Sequence, residues 1–181
     1  MSLRCFCAEK IQKKKEKKPY ILSIDPGLGG TGFALWLDGK LQKVGIIKPR
    51  STDSDYYDRG MSIAEGYNNL LVEIEPKRSD VENLNVVYIE YPAFFGGAGG
   101  TMVAARGDLV KLSWIAGTIC GLSIARNWIP IMVNVHDWKG QLPKDVVISR
   151  IKDKYPEVGV FDIQSHAWDA VGIGLYAQGR F

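Results

Sequence analysis

The sequence has few cysteines and no apolar run long enough to span a membrane. Its three cysteines, Cys5, Cys7 and Cys120, show no paired spacing, which argues against a disulfide framework. We place Cys120 in the core, and no second Cys or His pair lies near Cys5 and Cys7 to complete a structural zinc site. The basic N-terminus lacks the apolar segment of a secretory signal, so we expect a cytoplasmic protein.

Basic residues are concentrated at the start of the chain. Residues 1–18 contain seven basic and two acidic side chains, whereas the rest contains 16 basic and 18 acidic ones. We predict a flexible basic arm over 1–18 and one domain over 19–181, since this length suits a single core. Lysines such as Lys13, Lys14 and Lys15 suit a polyanionic partner. The alternative is a solvated tail that only aids solubility.

The hydrophobic pattern predicts nine elements in the order βββαβαβαα. The predicted strands are 20–25, 31–37, 40–48, 84–91 and 130–135, and the predicted helices are 58–75, 103–126, 143–155 and 165–178. Asp38-Gly39 is a typical hairpin turn between the second and third strands. A meander followed by alternating helices and strands indicates an α/β fold, with a mixed five-stranded sheet covered on both faces.

The predicted helix over 103–126 is apolar almost all round. Such a helix has to be buried on more than one face, either by the core of its own chain or by a partner subunit.

Asp25 ends the first predicted strand and enters a glycine-rich turn, DPGLGGTG. Glycines leave such a turn bare, so that phosphates or metal ions can approach the backbone. Asp25 is therefore the first candidate for chemistry. Asp and Gly also favour turns for local reasons, and a plain hairpin explains Asp25 about as well.

Three further residues can join Asp25. Glu90 also lies at a strand end, and ligands of α/β sheets gather at the carboxyl ends of strands. His166 and Asp169 share one face of the first turn of the last helix. Carboxylates with an imidazole and no thiolate suit two Mg²⁺ ions, or Mn²⁺ in their place. Two such ions about 4 Å apart can support phosphodiester displacement. Each residue singly also has a structural explanation, such as an ion pair for Glu90 or a favourable helix-terminus charge for Asp169.

Three segments resemble the acidic motifs of the RuvC family of Holliday junction resolvases, which are RNase H-like nucleases. They are DPGLGGTGFALW at 25–36, VVYIEY at 86–91 and HAWDAVGIGLYA at 166–177, in the family's order and approximate spacing. The resemblance covers residues 20–178, and the compactness of the chain suggests a phage-type member.

The resemblance implies an RNase H-like fold and a homodimer, with the interface on the apolar helix around 103–126. It also implies Mg²⁺-dependent resolution of four-way DNA junctions by paired symmetrical nicks, through two-metal phosphodiester hydrolysis. On this basis Asp25, Glu90, His166 and Asp169 are catalytic and bind the metal. His166 stands where some members have Asp.

Further residues resemble the family's DNA-binding positions. Lys139 and Lys144, in HDWKGQLPKD, approximately match its lysines and can hold the scissile phosphate. Phe94 and Phe95 follow Glu90, where the family has an aromatic residue that stacks on bases. The sequence spaces these phenylalanines differently and adds GGAGG. Arg106, before Gly107, matches a short family signal.

Three other functions remain open on sequence alone. A related nuclease could cut flaps, forks or RNA hybrids, because such carboxylates act on phosphodiesters of any shape. A binding protein could recognise branched DNA without cutting it. An actin-like or sugar-kinase-type domain also opens with Asp and glycines in a phosphate-binding hairpin, but a second hairpin of that type is missing from this sequence.

Overall fold

The computed structural model describes residues 19–75, 85–91, 107–159 and 165–181. Its strands form one mixed sheet in the spatial order β3-β2-β1-β4-β5. They are β1 (Tyr20–Asp25), β2 (Thr31–Leu37), β3 (Lys40–Ile47), β4 (Asn85–Tyr91) and β5 (Trp128–Asn134). The β1–β2 and β2–β3 pairs are antiparallel, and the β1–β4 and β4–β5 pairs are parallel. The predicted five-stranded sheet, with its initial meander, is confirmed.

Six helices lie within the described residues. They are α1 (Tyr56–Ile74), α2 (Asp108–Ala125), α3 (Val135–Trp138), α4 (Lys144–Lys154), α5 (Pro156–Gly159) and α6 (Ser165–Ala177). The four long helices were predicted from their apolar spacing, whereas α3 and α5, with four residues each, were not. Asp38 and Gly39 both have positive φ, 53° and 73°, as the predicted hairpin turn requires.

The two faces of the sheet build two separate cores. Leu22 and Ile24 of β1 lie on the face covered by α1 and α2, together with Ile63 and Ile119 from those helices. The opposite face packs against α4 and α6, with Trp36 from the sheet. Successive residues of a strand point to opposite faces, so β1 supplies side chains to both cores.

Helix α6 packs unusually close to the sheet. A Cβ at Gly174 would lie 2.1 Å from Trp36 Nε1 and 2.7 Å from Ser23 Oγ. The buried Ser23 hydroxyl donates to the carbonyl oxygen of Ala170 in this helix, at 2.7 Å. The bare glycine and the hydroxyl together fix α6 against β1 and β2.

Within this chain, α2 is buried on one side only. Ile115, Ala116 and Ile119 are buried, whereas the side chains of Val110 and Ile124 are 72% and 59% exposed. By length and composition alone this helix could cross a membrane, contrary to the expectation that no apolar run has that length. Its buried side packs against α1 and the sheet.

Candidate metal centre

The carboxyl edge of the sheet brings two predicted acids side by side. The parallel β1–β4 pairing runs as far as Ile24 and Ile89. Asp25 and Glu90 are the next residues of these strands, so neighbouring strands deliver both carboxylates to the same edge. Asp25 is buried, and Glu90 is partly buried.

The start of α6 crosses this edge because β2 offers no side chain there. Gly32 pairs with Asp25 across the β1–β2 ladder. A Cβ at Gly32 would lie 2.1 Å from the carbonyl oxygen of His166, so only glycine permits the observed approach. Gly27 also lies close to His166, since a Cβ there would be 3.5 Å from Cε1 of the imidazole ring. The glycine turn thus brings the last helix close to Asp25.

Three of the four predicted ligands form one compact group. His166 Nδ1 lies 2.7 Å from Asp25 Oδ2. One potential ligand atom from each of Asp25, His166 and Asp169 lies within 4.8 Å of the other two. Glu90 does not belong to this group, and its Oε2 accepts a hydrogen bond from Trp138 Nε1 at 2.8 Å.

The acidic side chains of the site are buried close together, and this changes the pKa values of the groups there. Burial raises the pKa of Asp25, and the hydrogen bond with His166 partly opposes this. The hydrogen bond to Asp25 raises the pKa of His166. Burial, with the nearby charge of Asp25, raises the pKa of Glu90 to about 7. A bound cation would relieve the cost of charging these carboxylates together.

Asp169 provides the test of whether the site fits a metal. Its Oδ2 accepts a hydrogen bond from Lys144 Nζ, and Lys139 Nζ lies 3.7 Å from Oδ1. Oδ1 is buried and has no hydrogen-bond partner among the described residues. A buried carboxylate oxygen without a donor is costly, and an ion is one way to satisfy it. Two carboxylates and an imidazole therefore fit Mg²⁺ or Mn²⁺.

Both lysines predicted from HDWKGQLPKD lie at this centre. Sequence reasoning missed Trp138, which lies directly before Lys139 in the chain. Its position beside that lysine is its only signal in the sequence. The predicted DNA contacts Phe94, Phe95 and Arg106 lie outside the described residues. So do the N-terminal cysteines and the arm over 1–18 with its three named lysines.

Comparison with known proteins establishes the fold. No protein-family model and no curated protein matches the chain. The structure is similar to that of Thermus thermophilus RuvC, with 18% identity and a TM-score of 0.61, over 88% of this chain and 96% of that one. It is also similar to T. thermophilus RuvC in complex with Holliday junction substrate, with 18% identity and a TM-score of 0.62, over 90% and 97% of the two chains. The chain has the RNase H-like fold of RuvC, as predicted.

Proposed function

We propose that this chain is a Mg²⁺-dependent endodeoxyribonuclease that resolves four-way DNA junctions by paired symmetrical nicks. The observation that supports this most is the grouping of Asp25, His166 and Asp169 within 4.8 Å, at the carboxyl edge of a RuvC-like sheet. One similar structure is a RuvC in complex with Holliday junction substrate, which favours four-way junctions among branched DNAs.

In this proposal Asp25, Asp169 and His166 hold the metal, and Glu90 completes the site. Two Mg²⁺ ions, or Mn²⁺ in their place, would supply Lewis acidity at the scissile phosphodiester. The protein's own contribution is preorganisation. Burial keeps the Asp25 and Asp169 carboxylates in fixed positions, and the 2.7 Å contact with Asp25 restrains the His166 ring.

Lys139 and Lys144 supply the positive charge of the site. Their ammonium groups approach the two different oxygens of Asp169, so both positive charges lie directly beside the proposed ligands. We propose that they bind the scissile phosphate or its neighbours, since lysine acts on phosphate as a point charge. Phosphate contacts by the arm lysines, base stacking by Phe94 and Phe95, and a DNA contact by Arg106 extend this proposal on the sequence alone.

Paired nicks require two active sites, and the exposed side of α2 supports a homodimer. Gly117 and Gly121 are exposed on this helix, and a Cβ at either would meet nothing within 4 Å among the residues that the structure describes. Val110 and Ile124 expose apolar surface on the same helix. Small residues let two helix backbones approach closely, while the apolar side chains provide area to bury.

The test is a comparison of end-labelled four-way junction, flap and linear duplex under identical Mg²⁺ concentrations. We expect symmetrical, ligatable nicks in the junction and little cleavage of the other two. Faster cutting of the flap would assign the site to a related branched-DNA nuclease. Tight junction binding without nicking in Mg²⁺ or Mn²⁺ would instead identify a non-cleaving binding protein.

A further inference from the structure

We propose that Trp138 is a positioning residue for Glu90 and thereby sets the metal affinity of the centre. This inference rests on the proposed function, because it concerns the same site. Its basis is the hydrogen bond that the indole Nε1 of Trp138 donates to Glu90 Oε2, at 2.8 Å. An indole has a single N–H, so Trp138 commits its entire hydrogen-bonding capacity to this carboxylate.

The indole is held from several sides. Trp138 is 3% exposed. A Cβ at Gly172 of α6 would lie 2.3 Å from Trp138 Cζ3, so the ring packs directly against the helix backbone at this glycine. The ring of Phe181 packs edge-on against Trp138, with centroids 5.6 Å apart. A ring confined in this way has little freedom to follow Glu90 if the carboxylate moves.

The backbone that carries Trp138 is also fixed next to Glu90. Helix α3 begins with a capping box in which Asn134 and Asp137 satisfy each other's backbone amides. The amide nitrogen Nδ2 of Asn134 donates to the hydroxyl of Tyr91, the residue after Glu90, at 3.0 Å. Lys139, the residue after Trp138, places its Nζ 3.7 Å from Asp169 Oδ1. The Trp138-Lys139 dipeptide thus contacts two carboxylates of the centre from one short segment.

Two explanations of Trp138 make different predictions. If the ring only fills the core between β5 and α6, its loss lowers stability and little else. If its N–H orients Glu90, its loss weakens metal binding beyond any effect on stability. Partners that orient metal ligands typically contribute about 10–100-fold to metal affinity.

The experiment compares Trp138→Phe with a matched control, Trp128→Phe. Trp128 is 2% exposed and starts β5 at the opposite edge of the sheet, where it pairs with Asn85. The Mn²⁺ dissociation constant is measured on DNA-free protein by the EPR signal of free Mn²⁺. Junction binding is measured in EDTA, and the Mn²⁺ concentration for half-maximal cleavage is measured in parallel.

We expect Trp138→Phe to weaken Mn²⁺ binding about tenfold or more. Junction affinity in EDTA should stay within about twofold of the wild type, and excess Mn²⁺ should restore much of the cleavage. Trp128→Phe should keep the wild-type Mn²⁺ affinity. Equal Mn²⁺ affinity of Trp138→Phe and the wild type, or equal losses in both variants, would overturn the inference.

A measurement on the wild type covers the case in which Trp138→Phe does not fold. The indole N–H resonances of the five tryptophans are followed by NMR as Mg²⁺ is added. The Trp138 resonance should shift with the metal, whereas that of Trp128 should not; an unmoved Trp138 resonance at saturating Mg²⁺ would refute its contact with an occupied site. If the wild type binds no divalent metal at all, the proposed function itself has failed. If the wild type binds metal and Trp138→Phe binds it equally well, only the role of Trp138 has failed.

Discussion

The Nδ1 atom of His166 lies 2.7 Å from Oδ2 of Asp25, although 141 positions separate the two residues in the sequence. The contact joins the end of the first strand to the start of the last helix. It exists because Gly32 lets the helix backbone cross β2 at the position that pairs with Asp25. The close approach of α6 to the sheet is therefore a condition for the grouping of Asp25, His166 and Asp169.

Gly32→Ala should damage the site by moving the helix that carries two of its ligands. The new Cβ would lie 2.1 Å from the His166 carbonyl oxygen. Because this oxygen belongs to the backbone, only movement of the backbone can relieve the clash. We expect a loss of about 1–3 kcal/mol in the free energy of unfolding, as for other overpacked sites. Metal binding should weaken as well, by more than the loss of stability explains. Urea unfolding and Mn²⁺ titration measure the two effects.

The control for this variant is Gly29→Ala, in the same turn. A Cβ at Gly29 would meet no atom of the described residues within 4 Å. The stability and metal affinity of Gly29→Ala should match those of the wild type. If Gly32→Ala had the same stability and metal affinity as Gly29→Ala, the close approach of α6 would not have the role assigned to it.

Glu90→Gln should stabilise the metal-free protein at high pH. The pKa of Glu90 is raised from its ordinary value of 4.5 to about 7 in the folded protein. Between these values the folded chain holds a proton that the unfolded chain has released, so stability falls as pH rises from about 4.5 to about 7. Replacing the carboxylate by an amide removes this loss. At pH 8 in EDTA the variant should be roughly 1–3 kcal/mol more stable, and its Tm roughly 2–10 °C higher.

The same comparison at pH 4.5 should show no such gain, because Glu90 is then protonated in the folded wild type. Glu65→Gln, on the exposed surface of α1, serves as the control for the same change of side chain elsewhere in the chain. A gain for Glu90→Gln that is equal at both pH values would contradict the assigned pKa.

Mg²⁺ should stabilise the wild type more at pH 8 than at pH 5.5. Metal binding requires deprotonated carboxylates, and the pKa values of Asp25 and Glu90 are both raised. The increase in Tm on adding Mg²⁺ should therefore grow with pH across this range. Thermal unfolding with and without EDTA measures it, and an increase that shrinks with rising pH would count against a carboxylate site.

Gly121→Gln on α2 should separate a homodimer into monomers. The substitution places a long polar side chain on the exposed side of the helix, where its Cβ meets nothing within 4 Å among the described residues. Glutamine also favours helix more than glycine does, by somewhat under 1 kcal/mol, so unfolding would not explain the dissociation. We expect the dimer dissociation constant to rise at least about tenfold in sedimentation experiments. Val72→Gln, on the exposed side of α1, is the matched control and should leave the dimer intact.

Much of the fold could be predicted from the sequence because its signals are local. Alternating and helical apolar spacings located all five strands and the four long helices, and Asp38-Gly39 marked its turn correctly. Helices α3 and α5 were missed because four residues are too few for a periodic pattern to appear. Burial of α2 on a second face was expected, and within this chain that face is exposed.

The candidate site could be predicted from the sequence only in part. Strand ends and helical spacing predicted that Asp25, Glu90, His166 and Asp169 would converge, and the structure brings the first, third and fourth into one group. The bond from Trp138 to Glu90 and the pairing of Lys144 with Asp169 depend on tertiary packing across 48 and 25 positions. Sequence spacing carries no signal for such contacts.

The most direct test of the central claim is the single-turnover cleavage rate of a four-way junction by the wild type and by Asp25→Asn, in Mg²⁺. A metal centre contributes several kcal/mol to such a reaction, so the variant should cleave at least about 100-fold more slowly. Its junction affinity in EDTA should remain within a few-fold of the wild type. Cleavage by Asp25→Asn at the wild-type rate would contradict the assignment of this centre as the site of hydrolysis.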